Sequence, residues 1–319
     1  MITFLASPKP FQGIAKEHQY RAIRSWLAAA DDAEVILYGD SAGIDEAGND
    51  LGVRVQRQID CASSGIPYFG AIVGHAAEHG RHDLQVYLNC DILLAGIQPA
   101  FARIAFDRFL LIGQCIDLGE GVVVELAQGD WIKRLKELAV EGKVTLRPPA
   151  AIDYFGFRRG TWKGLPPVVI GRAGYDGALL AYCQRRHYPL IDATFAVTAL
   201  HQFHGYGHVQ GGAQTVRLGQ DAQNNLRQAG SHSLPGISDA SYVLRGSVIR
   251  PWPCRGDWLR RLELAIRYRQ GWTTISLAVR LVWRALQLIG IPRVVAPTLA
   301  EVIEAQETAL CGNDRQKTP

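Results

Sequence analysis

The alternation of short apolar runs with segments of helical periodicity, over the first two thirds of the chain, most strongly limits the folds open to this sequence. Such alternation is typical of βαβ units, in which helices connect neighbouring parallel strands. It predicts a largely parallel sheet flanked by helices, an α/β fold. Strands are expected at residues 2–6, 35–38, 53–56, 84–88, 109–113, 152–157 and 190–200, and helices at 16–30, 68–79, 99–106, 130–140 and 175–186.

Composition places the chain among globular proteins. Of its 319 residues, 48% are apolar and 20% charged, which is enough to bury a large core. Met1 leads directly into a short apolar run and a proline-containing turn rather than a basic and then apolar leader, so we expect a cytoplasmic protein. The six cysteines stand singly, without the paired spacings of zinc or redox motifs, and we expect most of them to be reduced core residues.

Polar residues follow several predicted strands, where ligands bind in parallel sheets. Ser7, Pro8 and Lys9 follow the first strand, Asp40 the second, and residues 89–91 the fourth. The first turn lacks the Gly-x-Gly-x-x-Gly pattern, and no Gly-Lys-Ser/Thr follows a strand. Dinucleotide-binding and P-loop hypotheses therefore lose their main support.

Two groups of residues have the chemistry of a metal site. Asp91 closes an apolar strand, where its carboxylate can bind a divalent cation or cap the next turn. His201, His204 and His208 follow the run at 190–200, and imidazole suits Mn²⁺ or Zn²⁺ better than Mg²⁺. The alternative for the histidines is hydrogen bonding to backbone within a glycine-rich loop.

Asp176 lies at the start of a predicted helix, behind Gly171 and Gly174, which permit close backbone approach or unusual dihedral angles. A carboxylate there can face a ligand, or it can stabilise the first turn through the helix dipole. Both roles are compatible with one side chain.

Together these segments resemble the GT-A-type glycosyltransferases of bacteria and plants. The resemblance spans roughly the first 230 residues, and its most specific parts are Asn89-x-Asp91 and His201-Gln-x-His204. The matching segments are residues 2–10, 17–21, 35–40, 64–67, 87–93, 111–113, 153–155, 170–176 and 191–208.

The resemblance implies a GT-A-like nucleotide-binding Rossmann-type mixed sheet, with a nucleotide-sugar donor at the strand ends and its diphosphate facing a divalent metal, Mn²⁺ or Mg²⁺. Asn89 and Asp91 stand where the family carries Asp-x-Asp, with Asn in place of the first acid. A single carboxylate makes a weaker cation site, so either His201 and His204 complete it or a basic side chain carries the charge. Lys9 and Arg172 are the basic side chains in question.

The resemblance also implies roles for other residues. Asp176 is similar to the base that removes the acceptor's proton in inverting transferases. Asp40 would contact the base or ribose, and Ser64 and Gly65 would shape the nucleoside pocket, although each also suits an ordinary turn. The remaining predicted contacts with the nucleotide sugar are Ser7, Pro8, Lys9, Asn89, Asp91 and Arg172.

The C-terminal part differs in composition, and we predict a catalytic domain at 1–230 and an Arg- and Trp-rich helical extension at 231–319. Residues 241–293 hold ten arginines, no lysine, two acids and four of the seven tryptophans. Their amphipathic helices are too interrupted by arginine to span a bilayer. We expect peripheral contact of residues 250–290 with an anionic membrane, or packing against the catalytic part or a second subunit. Nucleic-acid binding is disfavoured, since the aromatics lie in predicted helices rather than on a strand platform.

These features predict a sugar-nucleotide-dependent glycosyltransferase, inverting, that builds a cell-surface polysaccharide or glycolipid from a glycan or lipid-linked acceptor at the inner face of the membrane. Two alternatives stay open. One is a non-catalytic sugar-nucleotide or glycan-binding relative, which the Asn89 departure favours. The other is a sugar nucleotidyltransferase, which lacks support because no glycine-rich basic triphosphate loop lies near the N-terminus.

Overall fold

The computed structural model describes residues 1–126, 131–204, 212–230, 235–246, 248–251, 281–282, 285 and 297–314. These residues form a mixed α/β fold with one sheet of nine strands and one of four, flanked by helices. The predicted α/β class is confirmed.

The nine-stranded sheet has the order β13-β12-β10-β6-β9-β4-β1-β2-β3. Its pairs are parallel except that β9 runs antiparallel to β4 and β6, and β13 antiparallel to β12. Its strands are β1 (Ile2–Ala6), β2 (Ala33–Tyr38), β3 (Arg54–Gln56), β4 (Leu84–Leu88), β6 (Leu110–Ile112), β9 (Tyr154–Arg158), β10 (Leu190–Asp192), β12 (Tyr242–Arg245) and β13 (Val248–Pro251).

The four-stranded sheet has the order β5-β11-β7-β8. Its strands are β5 (Ile92–Ala95), β7 (Ile116–Leu118), β8 (Val144–Leu146) and β11 (Thr198–His201). None of β5, β7 and β8 was predicted from the sequence, because runs of three or four residues carry too little periodicity.

Helices cover both faces of the large sheet. Alternate residues of β1 face opposite ways: Phe4 packs in the cluster that contains Trp26, and Leu5 packs in the cluster that contains Phe69. Both faces of β1 are therefore buried, as expected for a parallel strand. The helices are α1 (Gly13–Ala28), α2 (Ile44–Leu51), α3 (Phe69–His79), α4 (Ile97–Ala102), α5 (Trp131–Val140), α6 (Tyr175–Arg185), α7 (Gly212–Leu218), α8 (Gln220–Ala229), a 3₁₀ turn (Ile237–Asp239) and α9 (Leu299–Asp314).

The apolar run at 190–200 was expected to form one strand, and this prediction is wrong. The run forms β10 in the large sheet and β11 in the small one. Asp192 causes the break, because its Oδ1 accepts hydrogen bonds from the backbone N of Thr194 at 2.9 Å and from the hydroxyl of Thr194 at 2.5 Å. The backbone N of Val197 then donates to the carbonyl of Ala193 at 2.9 Å, which closes a turn between the strands.

Beyond residue 230, the described residues contact the rest of the chain. Strands β12 and β13 extend the large sheet beside β10, and α9 packs against α5. In α9, Nε2 of buried Gln306 also donates a hydrogen bond to the carbonyl of Thr194 at 2.8 Å. The division of the chain after residue 230 stays a prediction. The expected amphipathic helices, with Trp252, Trp258, Trp272 and Trp283, and also His208, lie outside the described residues.

Among the cysteines whose side chains are described, Cys90, Cys115 and Cys183 are buried free thiols and Cys61 is exposed. Within the same part of the chain, no helix combines the length and the apolar character needed to cross a bilayer.

Candidate active site

The small sheet brings three polar residues together that are far apart in sequence. Strand β11 pairs antiparallel with β5, so that His201 lies opposite Ile92, the residue after Asp91. On its other side β11 pairs with β7, and His201 lies opposite Asp117. Strand pairing therefore places His201 between Asp91 and Asp117.

Asp91 is the centre of the site. Its carboxylate is buried, and Oδ2 accepts from Lys9 Nζ at 2.8 Å and lies 2.9 Å from His204 Nε2. Burial acts to raise the pKa of Asp91, but the hydrogen bond from His204 and the charge of Lys9 outweigh it and hold this pKa well below its usual range. Asp91 is therefore ionised, and its Oδ1 is buried without a hydrogen-bond partner among the described residues.

Lys9 reaches this position from the end of β1. Buried Gln19 of α1 fixes the Lys9 backbone, since its Oε1 accepts from Lys9 N at 2.8 Å and its Nε2 donates to Lys9 O at 3.0 Å. The ammonium of Lys9 also lies 3.3 Å from His204 Nε2. Three of the predicted site residues, Lys9, Asp91 and His204, are thus in contact with one another.

A second group of charges orients His201. Its Nδ1 lies 2.8 Å from Asp117 Oδ1, and because an ionised carboxylate can only accept, Nδ1 carries the proton. The Nε2 atom is then left as an acceptor, the arrangement found in many metal-binding histidines. Arg147 supports this pair, with Nε 3.5 Å from Asp117 Oδ1 and Nη1 3.0 Å from Asp153 Oδ2.

Asn89 belongs to this second group rather than to Asp91. Its Nδ2 donates to Asp153 Oδ1 at 2.9 Å. Burial raises the pKa of the Asp153 carboxyl, although Arg147 opposes the rise. Asp117 and Arg147 carry no local motif, so only the pairing of β7 with β11 and β8 could have revealed them.

The donor atoms of Asp91, His201 and His204 fit a divalent cation in kind and in spacing. One ligand atom from each residue lies within 4.8 Å of the others. A carboxylate oxygen with two imidazole nitrogens suits Mn²⁺ or Zn²⁺, and the unpartnered Oδ1 of Asp91 offers a further acceptor. The Lys9 ammonium, however, already contacts Oδ2 of the same Asp91 carboxylate.

Asp176 lies in the first turn of α6, where its Oδ1 accepts from Gly177 N at 2.8 Å. Burial raises the pKa of Asp176 to about 6, and the charge of Asp153 adds to the rise. Within the described part of the chain, Asp176 makes no hydrogen bond or ion pair with Asp91 or His204. Its electrostatic link to them runs through Asp153, whose pKa the charge of Asp91 also raises.

The other predicted site residues fall into two places. At the ends of β1 and β2, Pro8 O accepts from Ser41 Oγ at 2.5 Å, and Ser7 Oγ lies beside Gly39. Asp40 is exposed in the same region and pairs with Arg57 at 3.3 Å.

Ser64 and Arg172 both interact with Asp221. Ser64 Oγ donates to Asp221 Oδ2 at 2.6 Å, and the charge of Asp221 also acts on the Arg172 guanidinium, whose pKa burial lowers. Gly65 follows Ser64 in a turn with φ of +79°, a conformation that favours glycine. A role of these residues in binding a nucleotide stays a prediction.

The fold and the site define an α/β protein with a buried carboxylate, an ammonium and imidazoles at the carboxyl ends of its strands. No protein-family model and no curated protein matches the chain. Among solved structures it is similar to residues 1–349 of S. aureus TarS, with 13% identity, a TM-score of 0.36, and coverage of 63% of this chain and 57% of that one. A mycobacterial protein gives 16% identity, a TM-score of 0.37, and coverage of 63% and 65%.

A further similar structure is the M. tuberculosis glucosyl-3-phosphoglycerate synthase in complex with Mn²⁺, UDP-glucose and phosphoglyceric acid. The identity is 14%, the TM-score 0.41, and coverage 79% of this chain and 86% of that one. The chain spans less than two thirds of the length of the TarS fragment and of the mycobacterial protein named before the synthase.

Proposed function

We propose that this protein transfers a sugar from a nucleotide-sugar donor to a hydroxyl group of a glycan or lipid-linked acceptor. The observation that carries the proposal is the group formed by Lys9, Asp91 and His204 beyond the ends of β1 and β4. Ligands bind at this edge of α/β sheets, and the group holds an ammonium where a diphosphate would lie. The sequence resemblance to GT-A enzymes supports the same function.

The donor's leaving group is a nucleoside diphosphate, on which negative charge grows as the bond to the anomeric carbon breaks. Positive groups fixed in advance beside that bond lower the barrier, because no solvent has to reorganise during the reaction. Mn²⁺, when bound by Asp91, His201 and His204, would supply Lewis-acid stabilisation of this charge. Asp117 would keep His201 in the tautomer with a free Nε2.

Asp176 is the proposed base. The acceptor oxygen attacks the anomeric carbon, its proton moves to the Asp176 carboxylate, and the electron pair of the breaking carbon–oxygen bond leaves with the diphosphate. A pKa of about 6 makes Asp176 a stronger base than an ordinary carboxylate while it stays ionised at neutral pH. This single displacement inverts the configuration of the sugar.

The acceptor side of the proposal draws on the basic C-terminal sequence. Residues 241–293 carry ten arginines against two acids. Such a segment is attracted to anionic lipid surfaces, where a lipid-linked or membrane-borne acceptor would be found. We therefore place the enzyme in the cytoplasm, in peripheral contact with the membrane.

The function is tested by donor binding and turnover. Calorimetric titration with a set of nucleoside diphosphate sugars, with and without Mn²⁺, should give binding by at least one donor, and Asp91→Asn should weaken the binding measured with Mn²⁺ at least about tenfold, because the ion loses its carboxylate ligand. Asp176→Asn should keep donor binding and lose transfer by about 10²-fold or more. Asp83→Asn is the matched control. Asp83 directly precedes β4, at the end of that strand opposite to Asp91, and forms an exposed pair with Arg158.

Each alternative gives a different result. A binding module would bind a donor and show no hydrolysis or transfer with any acceptor. A nucleotidyltransferase would release pyrophosphate from a nucleoside triphosphate and a sugar phosphate. Absence of binding by every nucleotide sugar would contradict the proposal.

A further inference from the structure

We propose that Lys9 and a divalent ion are alternative occupants of one cation position beside Asp91, and that the Lys9 ammonium binds the donor's diphosphate when no metal is present. The inference rests on the proposed function and concerns how the same site supplies its positive charge. It makes the metal optional for donor binding and makes metal affinity a property that Lys9 controls.

The distances place Lys9 where the ion would bind. Lys9 Nζ lies 2.8 Å from Asp91 Oδ2 and 3.3 Å from His204 Nε2, so the ammonium contacts two of the three residues that would ligate a metal. A divalent ion bound to the same carboxylate oxygen would lie within a few ångströms of the ammonium. Coulomb repulsion at such a separation in a buried site is strong. The metal therefore binds only when Lys9 moves away.

At Asp91 itself, one ammonium already balances one carboxylate without a metal. Asn89 replaces an acid and directs its amide to Asp153, and Asp153 is paired with Arg147. Asp91 is thus the one carboxylate in direct contact with Lys9 among the described residues. One ammonium neutralises one carboxylate, whereas a divalent ion would leave excess positive charge until a diphosphate arrives. Metal binding should accordingly be weak alone and stronger with diphosphate.

Lys9 is also held in advance. Its backbone N and O are both bonded to the side chain of Gln19, which is 1% exposed. This double contact fixes where the side chain starts and reduces the conformational entropy lost when the ammonium binds a ligand. A lysine that merely neutralised Asp91 by a surface contact would need no such support.

The first test measures Mn²⁺ alone. The electron paramagnetic resonance signal of free Mn²⁺, followed during titration at neutral pH, should show weak binding to the wild-type chain. Lys9→Met should bind Mn²⁺ at least about tenfold more tightly, because the competing charge is gone. Asp91→Asn in the Lys9→Met background should abolish this gain. Lys16→Met is the matched control, since Lys16 pairs with exposed Glu46 at 3.2 Å and should leave Mn²⁺ affinity unchanged.

The second test uses inorganic pyrophosphate as the probe of diphosphate binding. In EDTA, pyrophosphate should raise the Tm of the wild-type chain and of Lys16→Met, but not that of Lys9→Met. Added Mn²⁺ should restore the rise in Lys9→Met. Unchanged Mn²⁺ affinity in a folded Lys9→Met variant would overturn the proposal.

The wild-type chain gives an independent measurement if Lys9→Met does not fold, which circular dichroism would show. Pyrophosphate that stabilises the wild-type chain only when Mn²⁺ is present would overturn the proposal. Neither arm uses a sugar donor or an acceptor. Failure of the proposed function would instead appear as nucleotide sugars that are not bound, or that are bound without turnover, so the two failures are distinguishable.

Discussion

Two carboxylates of the candidate site are displaced in opposite directions from the ordinary pKa of aspartate, because their neighbours differ. Asp91 is bonded to an ammonium and an imidazole, which keep it ionised despite burial. Among the described residues, Asp176 accepts hydrogen bonds from backbone N–H groups and lies near the like charge of Asp153, and burial raises its pKa to about 6. Pairs of titratable groups with separated pKa values are typical of acid–base sites.

At the residue scale, the raised pKa of Asp176 predicts the pH dependence of activity. If Asp176 is the base, kcat/KM should rise with pH through about 6, since the carboxyl must lose its proton before it can accept another. A pH series of initial rates measures this. An acidic limb that persists unchanged in the residual activity of Asp176→Asn would show that another group is responsible.

The raised pKa of Asp176 also predicts how the stability of the fold depends on pH. The folded pKa of Asp176 lies above the unfolded value, so the folded state binds more protons between the two, and stability falls as pH rises from about 4 through about 6. Asp176→Asn should raise the free energy of unfolding at neutral pH by about 1–3 kcal/mol, and the gain should vanish near pH ~4. Urea denaturation at both pH values measures it. Asp83→Asn should show no such gain, and an equal gain there would contradict the argument.

At the scale of elements, the start of α6 depends on close packing with α8. Gly174, the residue before α6, has φ of +82°, and a Cβ there would lie 3.0 Å from Leu226 Cδ2 and 3.3 Å from Leu226 N. Gly171 has φ of +61°, but a Cβ there would meet no atom of the described residues within 4 Å. A comparison of the two positions therefore separates the cost of a left-handed backbone from the cost of a steric contact.

This difference predicts unequal effects of two alanine substitutions. Gly171→Ala should cost about 1 kcal/mol of unfolding free energy, from the left-handed backbone alone. Gly174→Ala should cost about 2–3 kcal/mol, because α8 must also shift away from α6. Urea denaturation of both variants gives the comparison. Equal losses would mean that the contact with Leu226 carries no strain.

The same scale shows what the sequence could predict. Strands β1 and β4 form over the expected residues, because each is a buried apolar run bounded by turn residues. The break in the run at 190–200 was missed, since residues 193–197 are apolar or small and all are buried. The hydrogen bonds that Asp192 accepts from Thr194 mark the turn, and they are local geometry rather than periodicity.

The candidate site, too, could be predicted from the sequence only in part. Asp91 and His204 were selected by strand-end position and residue type, and the structure places them in contact. Asp117 and Arg147 were missed, because their roles depend on the pairing of β7 with β11 and β8, which no periodicity in the sequence encodes. The contact of the Lys9 ammonium with Asp91 Oδ2 likewise depends on side-chain geometry.

For the whole molecule, the distribution of charge matters more than its sum. The chain carries 34 basic and 30 acidic residues, but ten of the basic and only two of the acidic ones lie in residues 241–293. That segment therefore has a net charge of +8, and the remainder of the chain has −4, which together give the overall +4. An anionic surface should attract the segment while the rest of the protein is repelled, and this orients the molecule at the membrane.

Liposome flotation measures the consequence. At low salt the protein should float with vesicles that contain phosphatidylserine or phosphatidylglycerol, and it should stay at the bottom of the gradient with neutral vesicles, because the attraction is electrostatic. High salt should release most of it, since charges beyond the screening length no longer interact. Replacement of Arg260 and Arg261 by Glu should lower the bound fraction at least about tenfold, whereas the same change at exposed Lys133 and Lys163, outside the segment, should have little effect. Flotation that resists salt would indicate that the tryptophans of the segment, rather than its arginines, supply the binding energy, and no flotation at low salt would remove the membrane from the proposal.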